Sequence, residues 1–382
     1  MIKSNLLAGI YIHIPFCKKA CVYCDFHFST SMKNKSELVD CICKEITTRK
    51  DYLETEELET IYFGGGTPSL LTKEELDLIL KTVHGEFKVN SNAEITLECN
   101  PDDLNREKLE ELKQAGINRL SIGIQSFIGR DLLFMNRSHT IKQAVDSVKS
   151  AQELGFDNIT IDLIYGIPNL SENEWKRNIQ KAIDLNINHI SAYCLTSEER
   201  TAMHHDIAKG KYELPKEDIT SEQFNTLIET LDNNGFEQYE ISNFAKKGNL
   251  SKHNSSYWKQ KHFLGVGPSA HSFNGKTRHW NVSNNARYIK GAKENNWVAE
   301  EEILDEKTQY NEYIMTSLRT SWGIDSNYLK SNFNSSFVAH FKKESKRFIL
   351  DNSLIQNGTH YTLSQNGKLL ADRIASELFW VE

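Results

Sequence analysis

The sequence predicts an α/β fold: an open, partial (β/α)6 barrel followed by a small C-terminal helical, winged-helix-like domain. Three observations predict it. Between residue 10 and about residue 195, six short apolar runs alternate with segments of helical periodicity. Repeated strand–helix–strand units form parallel sheets with right-handed crossovers, and six units are too few for a closed eight-unit barrel. From about residue 303 the pattern changes to three helices and a hairpin.

The predicted strands, in chain order, are GIYIHI, TIYFGG, AEITLEC, NRLSIGI, NITIDLIYG and HISAYCL. Helical segments such as SELVDCICKEITTRKDYL and TKEELDLILKTV separate them. Thr72 and Ser171 predict helix starts, because Glu75 and Glu174 stand three residues later in the capping-box position. We therefore divide the chain into a barrel (1–235), a less regular barrel extension (236–300) and a C-terminal winged-helix-like domain (301–382).

Composition and charge exclude several classes of function. The chain has 382 residues and a net charge of −7, so a nucleic-acid partner has no electrostatic support. The sequence contains no run of about 18 apolar residues, so no integral membrane segment is predicted. The N-terminal segment lacks the apolar stretch of a signal peptide. We expect a cytoplasmic protein. Its seven cysteines favour reduced thiols or a metal site over a disulfide framework.

Three of the cysteines, Cys17, Cys21 and Cys24, follow the first predicted strand with the spacing C-x3-C-x2-C. Thiolates are soft ligands that suit Zn²⁺ or an iron–sulfur cluster. Three ligands on one tight loop leave one metal position open, whereas a structural zinc site needs four. The alternative is therefore a zinc site completed by His13 or His27.

Further polar and glycine-rich motifs stand where the next predicted strands end. They are GGGTP (Gly64 to Pro68), Glu98, Gln125 and Asp162. Parallel α/β folds bind ligands at the carboxyl ends of their strands. We therefore expect these residues and the cysteines to form one site.

The cysteine spacing, with Tyr23 just before the last cysteine, resembles the radical S-adenosylmethionine (radical SAM) superfamily. The resemblance implies a partial (β/α)6 radical SAM barrel and a [4Fe–4S] cluster, held by the three cysteines, that binds and cleaves SAM. It implies SAM contacts from Tyr11, Tyr23, Gly65, Gly66, Thr67, Glu98, Gln125, Arg137 and Asp162. The alternative for Arg137 is an ordinary surface cation.

The motifs YIHIPFC, GGGTPSLL, ECNPDDL, RLSIGIQSF and DLIYGIP resemble the oxygen-independent coproporphyrinogen III oxidase family. Oxidases of that family typically carry a further cysteine where this chain has Phe26. The CDF form, together with the H-N-x-x-Y-W motif from His253 to Trp258, resembles the haem chaperone branch, HemW. The resemblance thus implies a chaperone that binds haem as cargo and delivers it to acceptor haem proteins, with coproporphyrinogen III dehydrogenase as the alternative. Whether the chain is an enzyme stays open.

The haem contacts implied are His253, Tyr257 and Trp258. A neutral imidazole is a common haem-iron ligand, and the aromatic rings offer flat apolar faces. The competing interpretation is that the aromatic side chains are core residues and the histidine only forms hydrogen bonds. Other candidate ligands are His204, His205, His262, His271 and His279, with His271 the second choice.

The resemblance also implies respiratory haem acceptors, a place at the periphery of the membrane, and a homodimer assisted by the cluster. We interpret the basic run KKESKR (Lys342 to Arg347) as a solvated helix face. The C-terminal domain is expected to cover the barrel opening or to contact a partner.

Overall fold

A computed structural model describes residues 8–53, 57–295 and 299–381 of the chain. Six parallel strands lie side by side in chain order. They are β1 (Ala8–Ile14), β2 (Glu57–Gly65), β3 (Lys88–Cys99), β4 (Arg119–Gln125), β5 (Asn158–Tyr165) and β6 (His189–Cys194). The predicted α/β fold with a partial barrel and a small helical C-terminal region is confirmed.

Helices connect these strands and cover the outer face of the sheet. They are α1 (Lys35–Arg49), α2 (Lys73–Glu86), α3 (Arg106–Gln114), α4 (Gly129–Phe134), α5 (Ile141–Glu153) and α6 (Glu172–Asp184). Both predicted capping boxes are present, at Thr72 and at Ser171. Gly116 and Gly155 follow α3 and α5 with φ values of +93° and +77°, a backbone conformation that glycine adopts without strain.

Later segments extend the sheet at both edges. They are α7 (Ala202–Ala208), α8 (Glu217–Asp232), β7 (Phe236–Glu240), β8 (Asn243–Lys246), α9 (Lys252–Trp258), β9 (Phe263–Val266), β10 (His271–Phe273), β11 (Thr277–Asn281), α10 (Asn285–Glu294) and β12 (Ala299–Ile303). β8 pairs antiparallel with β6, whereas β9 pairs parallel with β1. The result is a twelve-stranded sheet in the order β12-β11-β10-β9-β1-β2-β3-β4-β5-β6-β8-β7.

The C-terminal unit has its own apolar core and a three-stranded sheet. Its elements are α11 (Glu306–Leu318), β13 (Ile324–Asp325), α12 (Ser326–Asn332), α13 (Ser335–Leu350), β14 (Leu354–Asn357), β15 (His360–Leu363), α14 (Gln365–Leu369) and α15 (Ala371–Leu378). Arg319 joins this unit to the barrel, because its guanidinium pairs with the buried Glu240 carboxylate at 3.1 Å and its carbonyl accepts from Ile241 N at 3.0 Å. The four basic side chains of the KKESKR run are exposed on α13.

The two faces of the parallel strands differ in chemistry, because side chains alternate along a strand. One face of β1 carries the buried Ile10, Ile12 and Ile14. Buried polar residues alternate with apolar ones on the next strands, as at Thr96 on β3 and Ser191 on β6. The barrel interior below the site is therefore polar. None of the helices in the described ranges is long and apolar enough to cross a membrane.

Candidate cofactor site

A cavity of about 470 Å³ lies at the carboxyl ends of the barrel strands. Eleven of the fifteen residues predicted as site residues line it. They are Cys17, Cys21, Tyr23, Cys24, Gly65, Gly66, Thr67, Glu98, Gln125, Arg137 and Asp162. Residues that are up to 145 positions apart in the chain thus meet in one cavity, which is the arrangement expected of a parallel α/β site.

The cysteine loop connects β1 to α1 and is held by backbone hydrogen bonds from two other segments. Val22 N donates to Met135 O (3.3 Å), and Met203 N donates to Val22 O (2.9 Å). All three of its cysteines are free and partly buried. Because the loop is fixed at its centre, the three thiols have defined positions on one wall of the cavity.

Two side chains donate hydrogen bonds to the loop sulfurs. Thr67 Oγ1 donates to Cys17 Sγ at 3.4 Å, and Arg137 Nη1 donates to Cys21 Sγ at 3.3 Å. Burial raises the pKa of Cys17, and it raises the pKa of Cys24 to about 12, so a bound metal centre is needed to stabilise the thiolates. Thiols with such donors suit an iron–sulfur cluster, since hydrogen bonds to sulfur stabilise the charge of a cluster and tune its potential.

The zinc alternative finds less support in these contacts. Both ring nitrogens of His13 are hydrogen-bonded, one to Tyr11 Oη (3.1 Å) and one to the His27 carbonyl (2.9 Å). His27 Nε2 is hydrogen-bonded to Asn285 Oδ1 at 2.7 Å. Within the described residues, no group of three or more His, Cys, Asp or Glu side chains is arranged to hold a metal ion, and this includes the three cysteines as they stand. The fit to a cluster rests on the three thiols and their donors.

The GGGTP loop packs directly on the end of β1. Gly65 has φ +105°, and a Cβ atom there would lie 2.5 Å from the His13 ring. A Cβ atom on Gly66 would lie 2.7 Å from the backbone of Phe16. The two glycines are therefore required by packing within the chain, and this packing places the Thr67 hydroxyl against Cys17.

Two buried carboxyl groups, Glu98 and Asp162, lie in the cavity wall. Glu98 accepts hydrogen bonds from Tyr62 Oη (2.8 Å) and from Gly65 N (3.2 Å). Burial raises the pKa of Glu98 to about 7, and the negative charge of Asp162 adds to the shift. Burial likewise raises the pKa of Asp162 to about 6, against the opposing charge of Arg119. Both groups can therefore change charge near neutral pH when a cationic ligand binds.

Arg137 is not a surface cation. Its Nη2 donates to Asn100 Oδ1 and to Gly123 O, both at 2.7 Å, and its Nε is buried without a hydrogen-bond partner in the described part of the chain. Gln125 ends β4 with φ +67° beside an irregularity in the pairing of β4 with β5. The strained backbone there turns the amide side chain into the cavity.

The H-N-x-x-Y-W motif forms the short helix α9, and its histidine does not line this cavity. His253 is 1% exposed, and its ring nitrogens are hydrogen-bonded to Thr60 Oγ1 (2.7 Å) and Tyr257 Oη (2.8 Å). Its ring stacks on Tyr62 at 4.7 Å, and Tyr11 lies at 6.4 Å. Burial lowers the pKa of His253 to about 3, so the ring is neutral. Tyr257 and Trp258 lie on a second, smaller cavity.

Several cavity residues were missed by sequence analysis: Tyr62, Asn100, Ser191, Tyr193 and Asn254. Tyr62 was detectable, because it stands two positions before Gly64 on a strand and so faces the same side. Asn254 carries no such signal, since α9 reaches the cavity only through the tertiary fold.

Comparisons with known proteins identify the family to which the chain belongs. Residues 11–182 match the model of the radical SAM superfamily, and residues 304–370 match that of the HemN C-terminal domain. The solved structure of coproporphyrinogen III oxidase (HemN) from Escherichia coli superposes with a TM-score of 0.84 at 22% identity, covering 98% of this chain and 90% of that one. The fold and the cysteine loop define a radical SAM protein.

Relatives that align over nearly the full length of the chain identify its family within the superfamily. "Heme chaperone HemW" of Bacillus subtilis is 34% identical over 96% of this chain and 98% of its own length. The protein of that name in Haemophilus influenzae is 30% identical over 98% of both chains. The chain belongs to the HemW family of the radical SAM superfamily.

Proposed function

We propose that the protein is a radical-SAM-type haem chaperone, which binds a [4Fe–4S] cluster, SAM and haem and delivers haem to acceptor haem proteins. The observation that carries the proposal is the convergence of the three loop thiols with Glu98 and Asp162 in one cavity, in a chain of the HemW family. The names of its relatives support haem as the cargo.

In this proposal Cys17, Cys21 and Cys24 hold the cluster. The cluster would supply an iron with an open position for the methionine end of SAM, together with one electron. Arg137 and Thr67 donate to the sulfurs that hold it. Such donors stabilise the negative charge of a thiolate-bound cluster.

Glu98, Asp162 and Gln125 are proposed SAM contacts. A buried carboxylate accepts hydrogen bonds from an ammonium group or from two ribose hydroxyls. The hydroxyl of Tyr62 and the amide of Gly65 hold the Glu98 carboxylate in a fixed orientation, so its free lone pairs are directed before the ligand arrives.

Anaerobic reconstitution tests the proposal. We expect four irons and four sulfides per chain with brown absorption at about 400 nm, binding of SAM, and a Soret band on titration with haem. Transfer of haem to an apo haem protein would complete the activity. A reconstituted protein that binds neither SAM nor haem would contradict it.

The same preparation tests the alternative. Formation of protoporphyrinogen from coproporphyrinogen III, with SAM and a reductant, would identify a dehydrogenase instead. We further propose respiratory haem proteins as acceptors and a homodimer that depends on the cluster. Light scattering of the reconstituted and the cluster-free protein measures whether the mass doubles.

A further inference from the structure

The motif ECNPDDL contains two aspartates, Asp102 and Asp103, that do not line the cofactor cavity. They belong to a single turn of 3-10 helix (Pro101–Asp103) that follows β3, and the residue before this turn, Asn100, does line the cavity. The two carboxylates are 11% and 5% exposed. Carboxylates buried to this extent need partners, because an unpaired buried charge is unfavourable. The side chains that pair with them come from three loops around the cysteine sulfurs.

The cysteine loop supplies the first partner. Lys18, the residue after Cys17, pairs with Asp102 Oδ2 at 2.9 Å and also contacts Asp103 Oδ1. An ion pair of a half-exposed lysine contributes little by itself. Here one ammonium group contacts two nearly buried carboxylates, so its removal would leave both charges without their counterion. Lys18 thus joins the cysteine loop to the end of β3.

The second partner, Ser69, follows the GGGTP loop directly. Its Oγ donates to Asp103 Oδ2 at 2.6 Å and accepts from Asn100 N at 3.3 Å. Ser69 is buried, and it stands two residues after Thr67, whose hydroxyl donates to Cys17 Sγ. The position of the Thr67 hydroxyl therefore depends on Asp103.

The loop between α4 and α5 supplies the third partner. Ser138 Oγ donates to Asp102 Oδ1 at 2.7 Å. Ser138 follows Arg137, which donates to Cys21 Sγ at 3.3 Å and to Asn100 Oδ1 at 2.7 Å. Both donors to the cysteine sulfurs are thus attached, through a neighbouring serine, to the same pair of aspartates.

We propose that Asp102 and Asp103 are positioning residues, which hold the three loops together and so fix the two hydrogen bonds to the cysteine sulfurs. We call the pair the aspartate clamp. For the cluster this inference rests on the proposed function, in which the loop thiols hold a [4Fe–4S] cluster. Hydrogen bonds to the sulfurs stabilise the reduced, more negative state and therefore raise the reduction potential. The clamp thus acts on the potential without touching the cluster.

Two uncharged substitutions detach the loops from the clamp. Ser69→Ala and Ser138→Ala each remove one hydroxyl without changing the charge near the thiols, and Ser138→Thr is the conservative variant that keeps the hydroxyl. Ser376→Ala is the matched control, because this exposed serine donates to Arg373 O at 2.8 Å within α15. Substitutions of the aspartates themselves are avoided, since a change of charge would shift the potential directly.

Hydrogen–deuterium exchange of the cluster-free proteins, followed by mass spectrometry, measures whether the loops are held together. We expect backbone amides of the cysteine loop to exchange about tenfold faster in both alanine variants, because a hydrogen bond to a charged group is lost and the loops open more often. The substituted serines lie outside the cysteine loop, so this result requires coupling through the clamp. Ser138→Thr and Ser376→Ala should exchange as wild type does.

The reduction potential of the reconstituted proteins is measured by anaerobic dye titration, with the reduced cluster followed by electron paramagnetic resonance. In both alanine variants the equilibrium constant for reduction should fall about tenfold, which lowers the potential of this one-electron couple by about 59 mV. The threonine variant and the control should keep the wild-type potential. A merely structural role of the serines would lower the melting temperature and leave the potential unchanged.

Exchange that rises only in the loop that carries the substitution would overturn the inference. So would a potential that neither alanine variant shifts. If wild type takes up no cluster, the proposed function fails, and the exchange measurement on the cluster-free proteins still decides whether Asp102 and Asp103 couple the loops.

Discussion

Replacing His253 by alanine should destabilise the haem-free protein, because the ring is a buried link between the barrel and α9. The substitution leaves the hydroxyls of Thr60 and Tyr257 without their partner in a buried site, at a cost of about 1–3 kcal/mol for each hydroxyl. It also removes the stacking on Tyr62, worth about 0.5–1.5 kcal/mol. We expect a total loss of about 2.5–7.5 kcal/mol.

At about 2 °C for each kcal/mol, the melting temperature of the haem-free protein should fall by about 5–15 °C. Circular dichroism at 222 nm measures it. His271→Ala is the matched control, since His271 is exposed at a strand, and its melting temperature should change by less than about 2 °C.

A haem-free His253→Ala protein that melts within about 2 °C of wild type would refute this reasoning. If that protein also gave a shifted Soret band with haem, the histidine would be an iron ligand whose ring leaves its hydrogen bonds on binding. A lowered melting temperature with an unshifted Soret band would instead show that His253 positions Tyr257.

Four further outcomes follow from the site and the core. Cys17→Ser should lose cluster iron on reconstitution, measured by iron and sulfide analysis, whereas Cys194→Ser, in the same cavity but outside the cysteine loop, should retain it. The affinity for SAM, measured by anaerobic equilibrium dialysis, should rise about tenfold from pH 6 to pH 8, because the Glu98 pKa of about 7 makes its carboxylate ionise over that range; Glu98→Gln should flatten the profile. Because the pKa of Glu98 is raised in the folded state, the free energy of unfolding should increase as the pH falls from about 7 towards 4.5, the ordinary pKa of this side chain. Glu45→Ala should cost about 3–5 kcal/mol, seen as a lower melting temperature, because it leaves the partly buried Arg49 without its carboxylate at 2.7 Å.

The local signals in the sequence predicted much of the barrel. Strand alternation and the capping boxes at Thr72 and Ser171 depend on neighbouring residues, so they are readable from short segments. The strands added at the edges are different. β9 pairs with β1 across about 250 residues of chain, and no local pattern specifies so distant a partner.

The site divides in the same way. The thiols, Glu98 and Asp162 were predictable, because parallel strands bring their carboxyl ends to one edge. The environment of His253 was not, because it depends on Thr60 in β2 and on the packing of α9 beneath Tyr62. The second cavity, at Tyr257 and Trp258, could not be predicted either, because it also requires α11. That helix belongs to the C-terminal unit, which has its own core.

The late arrival of β9 has a consequence during synthesis. β1 can pair with β2 soon after β2 leaves the ribosome. The other edge of β1 stays unpaired until Val266 has been made, about 200 residues after the end of β2. At the usual 5–20 residues per second this is a window of about 10–40 s. During that time an apolar strand edge is unprotected, and the cysteine loop that follows it is open to solvent on that side. A chaperone that shields the free edge of β1 would have to act on the nascent chain during these seconds.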